Sequence, residues 1–138
     1  MKNIIISGLV GAIVLFILGF LFYAVLFMDF FENHAPPGME GVMKEMPNLG
    51  LVFAGNLALG LMLAYVFEKL ASIRTFSKGL YVGFVLGLLI SLYFDLIFLG
   101  TSNFMSSTTI AVDVVISTVI IGLSAAVVAM ILGKISKT

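Results

Sequence analysis

The sequence contains no cysteine and no tryptophan, and it has one histidine among 138 residues. The absence of cysteine excludes disulfides, thiolate metal sites and cysteine nucleophiles, and a single histidine excludes any site built from several imidazoles. Charged residues are also scarce, at 10% of the chain. Seven basic residues balance seven acidic ones, so there is no excess positive charge to attract nucleic acid.

Apolar residues are abundant instead, at 62% of the chain, whereas a soluble domain averages about 45–50%. They form four long stretches, at about 3–28, 49–71, 79–99 and 109–133. Each stretch has the roughly 20 residues that a helix needs to cross about 30 Å of hydrocarbon, where a helix satisfies its own backbone. The sequence therefore predicts one all-α domain over 1–138, an integral membrane antiparallel four-helix bundle in contact with the lipid bilayer.

The basic residues predict how the helices are oriented. Only Lys44 lies in the first connection between stretches, and the third connection has no basic residue. The other six lie before the first stretch, in the second connection or after the fourth stretch, namely Lys2, Lys69, Arg74, Lys78, Lys134 and Lys137. By the positive-inside rule, both termini are predicted to be cytoplasmic, in the inner (plasma) membrane of a cell. The loops at 29–48 and 100–108 then face outward.

The third apolar stretch carries small residues at four-residue spacing. Gly79, Gly83, Gly87 and Ser91 lead in this spacing to Asp95. Residues four apart share one helix face, and small residues let helix backbones approach closely in lipid. We therefore predict that this face packs against another helix and that Asp95 faces protein.

Two acidic residues are predicted to lie inside the membrane at matching depth. Asp95 is five residues before Gly100, and Asp113 is five residues after Thr108. An intramembrane carboxylate costs roughly 2.5–3.5 kcal/mol on insertion scales, so it usually faces protein or water. Because a short loop joins their helices, the two carboxylates are expected to be neighbours.

We predict an outward-side pocket around these acids that binds a proton, a cation or a small polar solute. Its predicted lining is Asp95, Asp113, Asn56, Tyr23 and Ser117. The alternative is that each acid only bonds to a serine or tyrosine across a helix interface and stabilises the bundle.

The first outer loop, 29–48, carries apolar residues at helical spacing within 39–46, which predicts a short amphipathic helix at the membrane surface. Methionine thioethers in this segment, together with His34, are one possible Cu(I) site. A harder cation has weak candidate ligands in Asp29, Glu32 and His34. A solvated acidic loop is the simpler interpretation.

The sequence shows no P-loop, zinc-protease or hydrolase motif, so no enzyme activity and no cofactor are predicted. An enzyme would have to use Asp95 and Asp113 for acid–base work. The preferred hypothesis is binding or transport, with a homo-oligomer forming the pathway because one four-helix protomer leaves little room for it. The competing hypothesis is an accessory or scaffold subunit whose small-residue faces pack against the helices of a partner membrane protein.

The segment GFLFYAVLF at residues 19–27, followed by Asp113 early in the fourth stretch, resembles a family of small four-helix bacterial inner-membrane proteins classed as a domain of unknown function. The resemblance covers nearly the whole chain through the order of helices and loops. It implies the four-helix fold and no established activity. Asp113 is the one polar position that the resemblance marks, without giving it a role.

Overall fold

The computed structural model describes residues 1–137, and within that range the chain is all-helical. The helices are α1 (Lys2–Gly19), α2 (Met28–Asn33), α3 (Leu49–Tyr65), α4 (Phe76–Thr101) and α5 (Ser107–Ile135). Two π-helical segments, Phe20–Leu26 and Val66–Ala71, continue α1 and α3. The four long apolar helices of the prediction are thereby confirmed, with lengths of 25, 23, 26 and 29 residues when the π-helical segments are included.

Helices α4 and α5 pack through the stripe of small residues. Gly79, Gly83 and Gly87 are buried on α4. The backbone positions that they meet on α5 are, in the same order, Ala126, Gly122 and Thr118. Because the α5 numbers fall as the α4 numbers rise, the two helices run antiparallel. A Cβ atom added at Gly87 would lie 3.0 Å from the Cβ of Ile121, so the glycines permit this close approach.

Helix α1 packs on α3 in a similar way at its first half. A Cβ atom on Gly8 would lie 3.0 Å from the Cα of Leu61. Further along, the rings of Phe16 and Phe53 meet edge to face, with centroids 5.8 Å apart. From the first contact to the second, the residue numbers rise on α1 and fall on α3, so these two helices are antiparallel.

Helix α5 is the central element. In its most apolar stretch 56% of residues are buried, compared with 17% in α3 and in α4. It also contacts α1, where Gly11 lies against Val128 near one end and Tyr23 reaches Asp113 near the other. Helices α1 and α5 are therefore antiparallel as well, which places the start of α1 and the end of α5 at the same end of the molecule.

That end also contains the connection between α3 and α4. It therefore collects six of the seven basic residues, and we refer to it as the basic end: Lys2, Lys69, Arg74, Lys78, Lys134 and Lys137. The predicted grouping of these residues agrees with the packing of the helices.

The long connection differs from the prediction. Its short helix is α2, directly after the first apolar helix, whereas residues 39–46 form turns and bends. Gly38 and Gly41 have φ angles of 84° and 77°, outside the range of a right-handed helix. Met43 and Met46 of this segment are exposed, so no packing surface stabilises a helix there, and helical spacing alone does not produce one.

We predict that Gly83→Ala destabilises the protein by about 1–3 kcal/mol, because the added Cβ overlaps Ala125 and crowds the backbone of Gly122. The matched control is Gly100→Ala near the end of the same helix, where an added Cβ meets nothing within 4 Å. There the substitution should be neutral or stabilising by up to about 1 kcal/mol, since alanine has the higher helix propensity. Unfolding in detergent micelles measures both, and equal effects of the two substitutions would contradict the packing described.

Candidate functional site

A hydrogen-bonded group joins α1 to α5 away from the basic end. The hydroxyl of Tyr23 donates to Oδ1 of Asp113 at 2.7 Å and lies 2.9 Å from Oγ of Ser117. A tyrosine hydroxyl has one proton, which is used toward Asp113, so Ser117 is the donor in the second bond. These contacts join residues 90 and 94 positions apart in the sequence.

The local structure explains why the three side chains meet. Asp113 and Ser117 are four residues apart on α5 and so share a helix face. Tyr23 lies in the middle of the π-helical segment Phe20–Leu26, a kind of winding that is frequent at functional sites. Its ring also packs on Phe31 of α2, with centroids 5.6 Å apart, so the short helix covers one side of the group.

Asp95 approaches the same group from α4. Its carboxylate lies close to that of Asp113. Oδ2 of Asp95 is shielded from solvent and has no hydrogen-bond partner within residues 1–137. Ionised carboxylates only accept hydrogen bonds, so Asp113 can serve as a donor to Oδ2 of Asp95 only when a proton lies between the two groups. We call Tyr23, Asp95, Asp113 and Ser117 the acid cluster.

The structure thus brings together four of the five predicted pocket residues. The fifth, Asn56, is half-buried on α3, and its Nδ2 donates to the carbonyl of Val52 in the same helix at 3.0 Å. Asparagine commonly bonds to the backbone of its own helix in this way, which satisfies the amide locally. No hydrogen bond of the described chain joins Asn56 to the acid cluster.

The candidate metal ligands of the outer loop do not assemble. No group of three or more His, Asp or Glu side chains suited to a metal occurs within residues 1–137. The ring of His34 stacks on Phe30 with centroids 4.2 Å apart, and its Nδ1 lies 2.8 Å from the Phe30 carbonyl oxygen. Asp29 and Glu32 are exposed on α2. Two of the three methionines of the loop are likewise exposed, Met43 at 84% and Met46 at 86%.

Sequence reasoning missed the π-helical winding around Tyr23, because apolar periodicity does not distinguish one continuous α-helix from an α-helix with a wider last turn. It also missed a cavity of about 460 Å³ at the basic end, lined by residues from the start of α4 and the end of α5. The basic residues on both sides of that cavity are the one signal of it in the sequence, and the positive-inside rule accounts for the same residues without a cavity. This cavity, and another beside Asn48, border none of the acid cluster.

Four apolar helices of 23 to 29 residues define the class of the protein: it is a multi-pass α-helical membrane protein. Residues 6–135 match the model of one family, described as "Protein of unknown function (DUF1761)". The chain belongs to this family, which confirms the resemblance to an uncharacterised family seen in the sequence. No curated protein and no solved structure matches the chain.

We predict that Tyr23→Phe lowers stability by about 0.6 kcal/mol, and at most about 1.7 kcal/mol, for each of the two hydrogen bonds it removes, the average and the maximum for such bonds between membrane helices. The control is Tyr93→Phe, since Tyr93 is 63% exposed on α4. That change should stay within about 0.5 kcal/mol of the parent. Reversible unfolding in mixed micelles measures the difference, and equal stability of both variants would show that the Tyr23 bonds contribute nothing.

Proposed function

We propose that the protein forms an antiparallel four-helix bundle in the inner (plasma) membrane, with both termini in the cytoplasm. The grouping of six basic residues at one end supports this orientation, because loops rich in Lys and Arg stay on the cytoplasmic side. The acid cluster then lies on the outward side, since Tyr23, Asp95 and Asp113 occupy the opposite ends of their helices from the basic residues.

Within this arrangement the acid cluster binds a proton or a cation. The observation that carries the proposal is the unpartnered, solvent-shielded Oδ2 of Asp95 beside the carboxylate of Asp113. Two negative charges close to each other repel strongly where the effective dielectric constant is low. A proton shared between them, or a cation bound to them, removes that repulsion and supplies the missing partner.

The hydroxyl groups of Tyr23 and Ser117 determine which oxygens of the acid cluster are available to a bound proton or cation. Tyr23 occupies Oδ1 of Asp113 as a hydrogen-bond donor, which leaves the other oxygen of that carboxylate for Asp95 or a cation. Ser117 holds the Tyr23 hydroxyl from the other side. The Tyr23 and Ser117 oxygens are also ligands of the kind that hard cations accept, whereas the cluster offers no sulfur or imidazole for a softer metal.

Transport of the bound proton or cation is the natural extension of binding. Carboxyl groups within membrane helices often mark ion pathways and proton relays. One four-helix protomer has little interior room, so the pathway would run between protomers of a homo-oligomer. No catalytic motif accompanies the acids, and the proposal includes neither an enzyme reaction nor a cofactor.

We expect the parent protein in liposomes to show the infrared C=O stretching band of a protonated carboxyl group near neutral pH. Asp95→Asn and Asp113→Asn should each abolish it, because either change leaves a single carboxylate. Asp29→Asn is the matched control, since Asp29 is exposed in the loop, and it should keep the band. If a cation replaces the proton, adding Na⁺ or K⁺ should remove the band from the parent and from Asp29→Asn alike.

The same variants in proteoliposomes test transport. Proton or cation flux should fall to the protein-free level in Asp95→Asn and Asp113→Asn and should persist in Asp29→Asn. Should Asp113→Asn fail to insert, Asp95→Asn still decides the matter, because Oδ2 of Asp95 has no hydrogen bond to lose. A parent without the infrared band, and without a response to added cations, would remove the acid cluster as a binding site.

The accessory or scaffold function is the second candidate, and one observation favours it. Helix α3 exposes a small-residue surface at Ala54, Gly55 and Ala58, and an added Cβ at Gly55 would meet nothing within 4 Å. Exposed small residues in a membrane helix allow another helix to approach closely.

We predict that Gly55→Cys cross-links efficiently in native membranes, whereas Leu89→Cys, on an exposed apolar part of α4, does not. The protein has no cysteine of its own, so each variant carries a single thiol. A disulfide-linked dimer would support the homo-oligomer that transport requires. A cross-link to a different membrane protein would support the accessory function, and equal cross-linking of both variants would show that the α3 surface is not an interface.

A further inference from the structure

The cavity at the basic end has walls that are held in place by packing. Its volume is about 460 Å³, and one wall consists of Arg74, Thr75 and Phe76. The other wall is the end of α5. The two walls approach closely at Gly133, where an added Cβ atom would collide with the carbonyl oxygen of Arg74. Next to Arg74, the side chain of Ile73 is buried at 7% exposure and anchors the connection to the core.

The charge of the cavity is positive. Arg74, Lys134 and Lys137 line it, and no acidic residue does. Nη2 of Arg74 donates to Oε2 of Glu68 at 3.2 Å, but a guanidinium group has five N–H donors, so most of them stay available. Lys134 and Lys137 are exposed and take part in no ion pair within residues 1–137. An anion entering the cavity therefore meets two unpaired ammonium groups.

The start of α4 adds backbone donors at the same place. Thr75 is the N-cap residue and has extended backbone angles, but its side chain makes no capping hydrogen bond. The first turn contains no acidic residue, so nothing in the helix offsets its positive end. The N–H groups of the first helical turn have no acceptor inside a helix, and such groups bind anions. At the opposite wall, Lys134 in the last turn of α5 offsets the carbonyl end of that helix.

An unsatisfied hydroxyl and two apolar side chains complete the lining. Oγ of Ser136 is shielded from solvent and has no hydrogen-bond partner within residues 1–137, a state that is rare for buried polar atoms. Because this oxygen is closed to solvent, it adds no donor to the cavity. Phe76 and Met130 provide apolar surface beside the charged groups, which suits a ligand that carries hydrocarbon next to its charge.

We propose that this cavity binds a phosphate group, either in the headgroup of an anionic phospholipid or as free phosphate. Arginine and helix N-termini are the groups that proteins use to bind phosphate oxygens, and lysine adds charge. The volume lies within the roughly 300–1,000 Å³ typical of small-molecule sites. The basic end, in the proposed orientation, faces the leaflet that holds anionic lipids. The lipid source rests on the proposed orientation, whereas the site shares no residue with the acid cluster and does not depend on what that cluster binds.

The test uses the full chain in nanodiscs. Phosphatidylcholine nanodiscs with and without phosphatidylglycerol test the lipid source, and sodium phosphate against sodium chloride in pure phosphatidylcholine tests the free anion. The readouts are thermal stability and the number of lipids retained in native mass spectrometry.

The variant is Lys134→Gln with Lys137→Gln, and the control with equal charge loss is Lys2→Gln with Lys69→Gln, which lie at the same end but outside the cavity. Ser136→Ala removes the unpartnered hydroxyl without changing charge.

The parent should be stabilised by phosphatidylglycerol, by phosphate, or by both, which identifies the source. The Lys134 and Lys137 double variant should bind roughly 25-fold more weakly, about fivefold for each lysine at about 1 kcal/mol per basic residue. Ser136→Ala, which changes a hydroxyl that is closed to solvent, and the control pair should both bind as the parent does. Absence of any stabilisation of the parent would overturn the proposal. So would an equal loss in the control pair, since binding would then reflect the charge of the basic end alone.

Discussion

The close contact between the glycine face of α4 and the small residues of α5 is the constraint on which the other features depend. In lipid the hydrophobic effect does not hold helices together, so close packing of backbones has to supply the attraction. Gly79, Gly83 and Gly87 allow that approach over more than two turns and set the register of the two helices. The same register carries Asp95 to the level of Asp113, so packing at one place determines which polar groups meet at another.

Helix α5 connects the two sites of the molecule. Asp113 and Ser117 near its start receive the hydroxyl of Tyr23, and Lys134 near its end faces the start of α4 across a cavity. Between these sites the helix is largely buried, with Val128 and Leu132 fully enclosed. The middle of this helix is packed against α1, α3 and α4, so the length of the helix sets the separation of the polar groups at its two ends.

Most of the acid cluster was predictable because a charged side chain in a membrane helix is costly in lipid and therefore faces protein or water. Asp95 and Asp113 had to face protein, and equal distance from a short loop placed them at one depth. The position of Asn56 was less constrained, because an amide finds a partner in its own helix at Val52. The prediction of a helix at 39–46 was wrong for a related reason. No packing surface constrains this segment, and the positive φ angles of Gly38 and Gly41 determine its backbone instead.

The sequence by itself determined the number and length of the long helices, the grouping of basic residues and the small-residue face of α4. These follow from composition and spacing along single helices, which depend only on local geometry. Only the tertiary structure decided that Tyr23 bonds to Asp113, that Oδ2 of Asp95 has no partner, and that Arg74 and Lys134 share a cavity. Those relations depend on how helices far apart in the sequence are rotated and aligned against one another. That rotation is set by backbone contact between several helices together, which no single helix contains.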